Sequence, residues 1–94
     1  MASAFGALLN RAIRARGLSQ RGFAAKVGST GPFISMIVRG QRRVPLEQLD
    51  AWMRVLELEG VERQEFVEQA DLSHCPIRIQ RLVAQLRRRV NQQP

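Results

Sequence analysis

Residues 17–40 read GLSQRGFAAKVGSTGPFISMIVRG, and three glycines divide the stretch into two short apolar segments. Gly17 ends whatever helix precedes it. Ser19 is placed to cap a helix running from Gln20 to about Val27, with Phe23, Ala24 and Val27 turned inward. Gly28 closes that helix. Ser29 and Thr30 then offer caps for a second one, with Pro32 in its first turn, where proline loses no hydrogen bond and its φ is already helical. Phe33, Ile34, Ile37 and Val38 take the inner side, and Gly40 stops the helix.

The spacing is specific. With Gln20 as the first position, Ala24, Gly28, Ile34 and Ile37 fall at the fifth, ninth, fifteenth and eighteenth places. A small residue is needed where the second helix crosses close to the first, and a glycine where the turn asks for φ above zero. Two apolar residues pin the second helix to the core. Together these make the helix-turn-helix pattern.

Outward from this stretch the periodicity stays helical. Phe5, Leu8, Leu9, Ala12 and Ile13 mark one face of a first helix. Pro45 to Glu57 carries Leu46, Leu49, Trp52, Met53 and Leu56 on one stripe. Glu62 to Ala70 carries Phe66, Val67 and Ala70. After Pro76, a sixth helix has Ile79, Leu82, Val83, Leu86 and Val90 on one face and arginines elsewhere. Nothing alternates with period two for long enough to form a sheet. The expected fold is all-α: a five-helix domain over residues 1–72 and a basic amphipathic helix within 73–94.

At 94 residues the chain has room for one core. No window approaches the roughly 18 apolar residues of a membrane span, and the first residues lack the charged start of a signal peptide. A soluble, cytoplasmic protein is expected. A metal site needs three or four ligands and a nucleophile needs an oriented base, yet the chain has one His, His74, and one Cys, Cys75. No enzyme activity, metal or cofactor is expected, and Cys75 reads as a buried or partly buried thiol.

Charge is unevenly distributed. Residues 1–43 carry eight Lys or Arg and no acid, all eight acids lie between Glu47 and Asp71, and the chain from Ser73 is basic again, so the segments run +8, −6 and +5. A 43-residue segment without a carboxylate points to a polyanionic partner. Nucleic acid is the first candidate and an anionic membrane surface the second.

The longer stretch GLSQRGFAAKVGSTGPFISMIVRGQRRVPLEQLDAWMRVLEL, residues 17–58, resembles the Cro and phage-repressor (Xre-type) family of DNA-binding domains. The shared features are GLSQ, the AxKVG turn, IS before an apolar residue and RG, and the PxxxL helix; the resemblance spans about residues 5–58. It implies a second motif helix lying in the major groove and dimers reading two half-sites about one turn apart. Residue by residue, it implies that Gln20 holds a phosphate and that Thr30, the cap of the recognition helix, does the same. It places Gly31, Pro32, Ser35 and Met36 at base-reading positions, and Arg39, Gln41, Arg42 and Arg43 along the DNA backbone.

Two departures stand out. Family members commonly place Gln, Asn, Arg or Ser where Gly31 and Pro32 stand, and these two cannot make bidentate contacts to base edges with their side chains. Many relatives also join their first and third helices by an Arg–Glu pair, whose matching positions here are Ile13 and Val38. Exchanging both charges together leaves no buried charge unpaired.

The sixth helix has two readings: Leu82, Val83, Leu86 and Val90 pack back on the core, or they meet a second chain and give the twofold symmetry of a palindromic operator. The second is favoured because the first five helices close their own core. Arg87, Arg88 and Arg89 are open between a solubilising end and a further DNA contact. The leading expectation is a homodimeric, sequence-specific transcriptional repressor binding double-stranded DNA. The alternative is a protein-interaction or antitoxin-like module whose acidic segment, 47–71, receives a basic partner. RNA binding is less supported, with no aromatic platform for stacking bases.

Overall fold

The computed structural model describes residues 4–92, and every regular element among them is helical: α1 (Ala4–Ala15), α2 (Gln20–Lys26), α3 (Gly31–Val38), a short 3-10 turn (Leu46–Gln48), α4 (Leu49–Val55), α5 (Gly60–Ser73) and α6 (Ile77–Gln92). The outer ends of the two expected segments, residues 1–3 and 93–94, lie outside the described residues.

Helices α1 to α4 end in the same way. The residue after each cap turns left-handed, and the next N–H reaches back over the last turn: Leu18 to the carbonyl of Ile13 at 3.1 Å, Ser29 to Ala24 at 2.8 Å, Gln41 to Met36 at 2.8 Å and Leu58 to Met53 at 3.0 Å. Glycine takes the left-handed position three times, and Gly28, with φ of 70°, is the turn of the motif. The fourth time Glu57 takes it, with φ of 54°. That conformation costs an L-residue about 1–2 kcal/mol. The exposed pairing of Glu57 with Arg16 returns at most about 1 kcal/mol. The reverse bond and the packing of Leu58 against the core supply the rest.

The core is the one the periodicity predicts, from Phe5, Leu9 and Ile13 through Phe23, Ala24, Ile34 and Ile37 to Leu49, Trp52, Met53, Leu56, Phe66 and Ala70. Two aromatic pairs tie its halves together. Phe23 meets Trp52 edge-on with ring centres 5.4 Å apart, and Phe5 meets Phe66 at 4.9 Å, joining α1 to α5. Each such pair adds about 0.5–1.5 kcal/mol beyond its burial.

Two expectations need correcting. The helix expected from Pro45 is split, so Leu46 sits on the 3-10 turn and is 39% exposed, off the stripe that Leu49, Trp52 and Met53 continue. The tighter winding of three residues per turn rotates Leu46 away from that face. In its place Val44, in the preceding loop, is buried. The fifth helix is longer than expected, Gly60–Ser73 rather than 62–70.

How α1 meets α3 is not marked by the periodicity. The close approach is at Gly6, two turns before Ile13. A Cβ there would collide with the carbonyl oxygen of Val38, and would stand 2.7 Å from its carbonyl carbon and 2.9 Å from the carbonyl oxygen of Ile37. Main chain rests on main chain, with no room for a side chain between.

An alanine in mid-helix ordinarily gains about 1 kcal/mol over glycine. Gly6→Ala is expected to reverse the sign and destabilise by about 1–3 kcal/mol, the cost of overpacking. Urea unfolding followed by the fluorescence of Trp52, the single tryptophan, measures it; a stabilised variant would contradict the backbone contact.

Candidate nucleic-acid interface

Helix α3 is pinned by Ile34 and Ile37, both buried in the core, and packs on α1 and α2. Its opposite side is therefore presented outward. At about 100° per residue, Pro32, Ser35, Met36 and Arg39 share that side. Pro32 and Arg39 are exposed, and Ser35, Met36 and Gly31 are half-buried. Phe33 is half-buried and packs against the core.

The front of α3 is built as its residues dictate. Thr30 is extended and its hydroxyl oxygen accepts from the Phe33 N–H at 3.3 Å. Pro32 has no N–H to offer, so the amide of Gly31 is the one first-turn donor aimed out of the helix without a protein acceptor. Gly31 is not there for lack of room: a Cβ would touch Arg21 at an ordinary 3.8 Å.

Gln20 opens α2, beside Ser19, whose hydroxyl caps Gly22 at 2.9 Å. Its amide nitrogen donates to Asn10 Oδ1 on α1 at 3.3 Å, leaving its second N–H for a ligand. Asn10 thus orients the expected phosphate ligand, a role that no helical periodicity marks.

Gly40 turns the chain off the end of α3, and Gln41, Arg42 and Arg43 follow as an exposed loop. Beyond it Val44 is buried, and its carbonyl oxygen accepts from His74 Nε2 at 2.6 Å. That bond reaches across 30 residues and anchors the basic loop to the end of α5. His74 is thus a structural hydrogen-bond donor. Cys75 beside it is half-buried, with its thiol 3.9 Å from the carbonyl of Asp71. Among the described residues no group of three or more His, Cys, Asp or Glu is placed to hold a metal ion.

The motif and its loop, residues 17–43, hold five cations and no carboxylate. The ion pairs among the described residues are Arg16–Glu57, Arg63–Asp50 and Arg87–Glu68. None involves Arg21, Lys26, Arg39, Arg42 or Arg43. The cations of α2, α3 and their loop face solvent with no carboxylate against them, while Arg87 is tied to α5.

The expected second-chain contact is on α6, whose first turn lies beside Arg42 and Arg43 of the loop. On α6, Leu82, Leu86 and Val90 are 52%, 51% and 71% exposed, and Ile77 and Ile79 are exposed as well. Val83 is half-buried, on the side from which Arg87 reaches Glu68 at 3.1 Å. Among the described residues no helix makes an extended contact along α6, and the molecule is drawn out to 42 × 26 × 22 Å.

Two short helices crossing at a glycine turn, with the second showing a polar and basic outer side, define a helix-turn-helix recognition scaffold. The sequence model of the helix-turn-helix domain family matches residues 4–66, more than half of the chain, and the protein belongs to that family of DNA-binding modules. This agrees with the Xre-type resemblance of residues 5–58. Neither a curated protein nor a solved structure gives a significant match.

His74→Ala is expected to leave the buried Val44 carbonyl without a donor and to lower the unfolding free energy by about 1–3 kcal/mol. Denaturant titration checks this; an unchanged midpoint would show that the loop does not depend on the bond.

Proposed function

We propose that this protein is a homodimeric, sequence-specific DNA-binding regulator, acting in the cytoplasm as a repressor at a palindromic operator. Helix α3 enters the major groove with Gly31, Pro32, Ser35 and Met36 leading. Gln20, the Thr30 cap and Gln41, Arg42 and Arg43 lie along the phosphates. The observation that carries the reading is that Arg21, Lys26, Arg39, Arg42 and Arg43 are exposed, none of them is ion-paired, and residues 17–43 hold no carboxylate.

The same features assign no catalytic step, metal or cofactor; the chemistry is recognition. Among the described residues no helix is long and apolar enough to cross a membrane. Dimerisation is supported by the bare stripe of Leu82, Leu86 and Val90, with Val83 at its edge. A self-complementary patch on α6 would set two α3 helices about one DNA turn apart.

A second reading has its own observation. Glu47, Glu59, Glu62 and Glu65 are exposed and form no ion pair. They suit a basic protein partner, as an antitoxin-like module would have. Gel shifts on genomic fragments at low salt separate the two: retarded bands support the regulator, and their absence contradicts it.

Binding is expected to weaken steeply as salt rises, since each neutralised phosphate releases counterion. Replacing Arg42 and Arg43 together by alanine should lower the slope of log K against log salt by about two; an unchanged slope would remove the loop from the DNA. Leu86→Asp is expected to convert a dimer to a folded monomer in sedimentation equilibrium. A wild-type monomer, or a dimeric variant, would rule out the α6 interface.

A further inference from the structure

The resemblance implies that Arg39 lies along the DNA backbone with the loop, but its side chain does not follow the loop. Arg39 is the cap of α3 with φ of −82° and ψ of −3°, so the helical path still holds at that residue, and the chain leaves only at Gly40. Its guanidinium folds back over the outer side of the helix. Nε donates to Ser35 Oγ at 3.2 Å and Nη2 donates to the same oxygen at 2.7 Å.

Helix geometry makes this placement central. At about 100° per residue, Arg39 lies within about 60° of Pro32, Ser35 and Met36, and faces away from Ile34 and Ile37. Of the four side chains on that side, Pro32 has no donor, Met36 no strong one, and Ser35 a single hydroxyl. Arg39 alone carries a fork.

The contact to Ser35 uses one edge of that fork. A guanidinium has five N–H donors, and Nε–H with one Nη2–H is spent on Ser35. The remaining edge, Nη1 with the second Nη2–H, stays open, and it is the edge that matches the O6 and N7 acceptors of guanine in the major groove. Ser35 fixes the plane of the guanidinium before any ligand arrives, which lowers the entropy lost on binding.

Taking the DNA-binding reading as its basis, we infer that Arg39 is the specificity-determining residue of this protein: it reads one guanine per half-site, with Ser35 as its positioning residue. The helix is therefore not stripped of base readers by Gly31 and Pro32. Its reader sits at the far end and is turned back along the helix. The small residues at the front let the helix seat deeply enough for that fork to arrive.

The test is selection of duplexes from a random pool by the wild type, followed by substitution of 7-deazaguanine, which lacks the N7 acceptor, at each guanine of the selected site. For the wild type one guanine in each half-site should show a loss of about five- to a hundredfold. Arg39→Ala should bind the unmodified site more weakly and show no further loss at that guanine. Arg39→Lys, which keeps the charge and loses the planar fork, should reduce the discrimination with little change in salt slope. Ser35→Ala should reduce the discrimination in part, with Arg39 present but unheld. Trp52 fluorescence confirms that each variant is folded.

If Arg39→Ala selects the wild-type sequence and keeps the full 7-deazaguanine penalty, while its salt slope falls by about one, Arg39 contacts phosphate and the assignment is wrong. A wild type that enriches no sequence contradicts the DNA-binding reading itself, and this assignment with it.

Discussion

The main chain of α1 lies directly on the carbonyl end of α3 at Gly6, and the rest of the structure follows from that contact. A close crossing there leaves room for Ile34 and Ile37 to enter the core and none for them to turn elsewhere. Once they are inside, Pro32, Ser35, Met36 and Arg39 must be outside. The turn at Gly28 and the reverse bond from Ser29 to Ala24 then set α2 behind α3. Every side chain assigned to the interface inherits its direction from these few backbone contacts.

How much of this was legible in the sequence varied with the kind of interaction. Left-handed helix ends were readable at Gly17, Gly28 and Gly40, because glycine adopts that conformation without strain. The same ending at Glu57 was not, since a carboxylate side chain carries no sign of it. Core positions followed from the helical period except at Leu46, where a 3-10 turn changed the period. Gly6 was unread because a glycine in a helix looks like a simple loss of propensity, and its reason lies in a strand of backbone 32 residues away.

At the candidate interface the exposure of the helix-turn-helix positions follows from the pattern, but their couplings do not. Gln20, Thr30, Ser35 and Arg39 all stand on the outer side of the motif. That Asn10 holds Gln20, that His74 holds the loop at Val44 and that Ser35 holds Arg39 are distances between side chains, which no spacing rule encodes. The last of these changes the chemistry most, since it moves a cation from the backbone-contacting loop to the helix surface.

Charge and shape divide the molecule into two working surfaces. The motif and its loop carry cations and no carboxylate, while Arg16 after α1, Arg63 of α5 and Arg87 of α6 each pair with an acid. The most direct measurement of the central claim is affinity cleavage. Gly31→Cys, in a Cys75→Ser background, carries an iron–EDTA label at the tip of α3, a position where Arg21 leaves ordinary space. On a selected duplex the account predicts two clusters of strand cuts about one helical turn apart. Uniform cutting along the duplex, or none above free label, would contradict the placement of α3 in the groove.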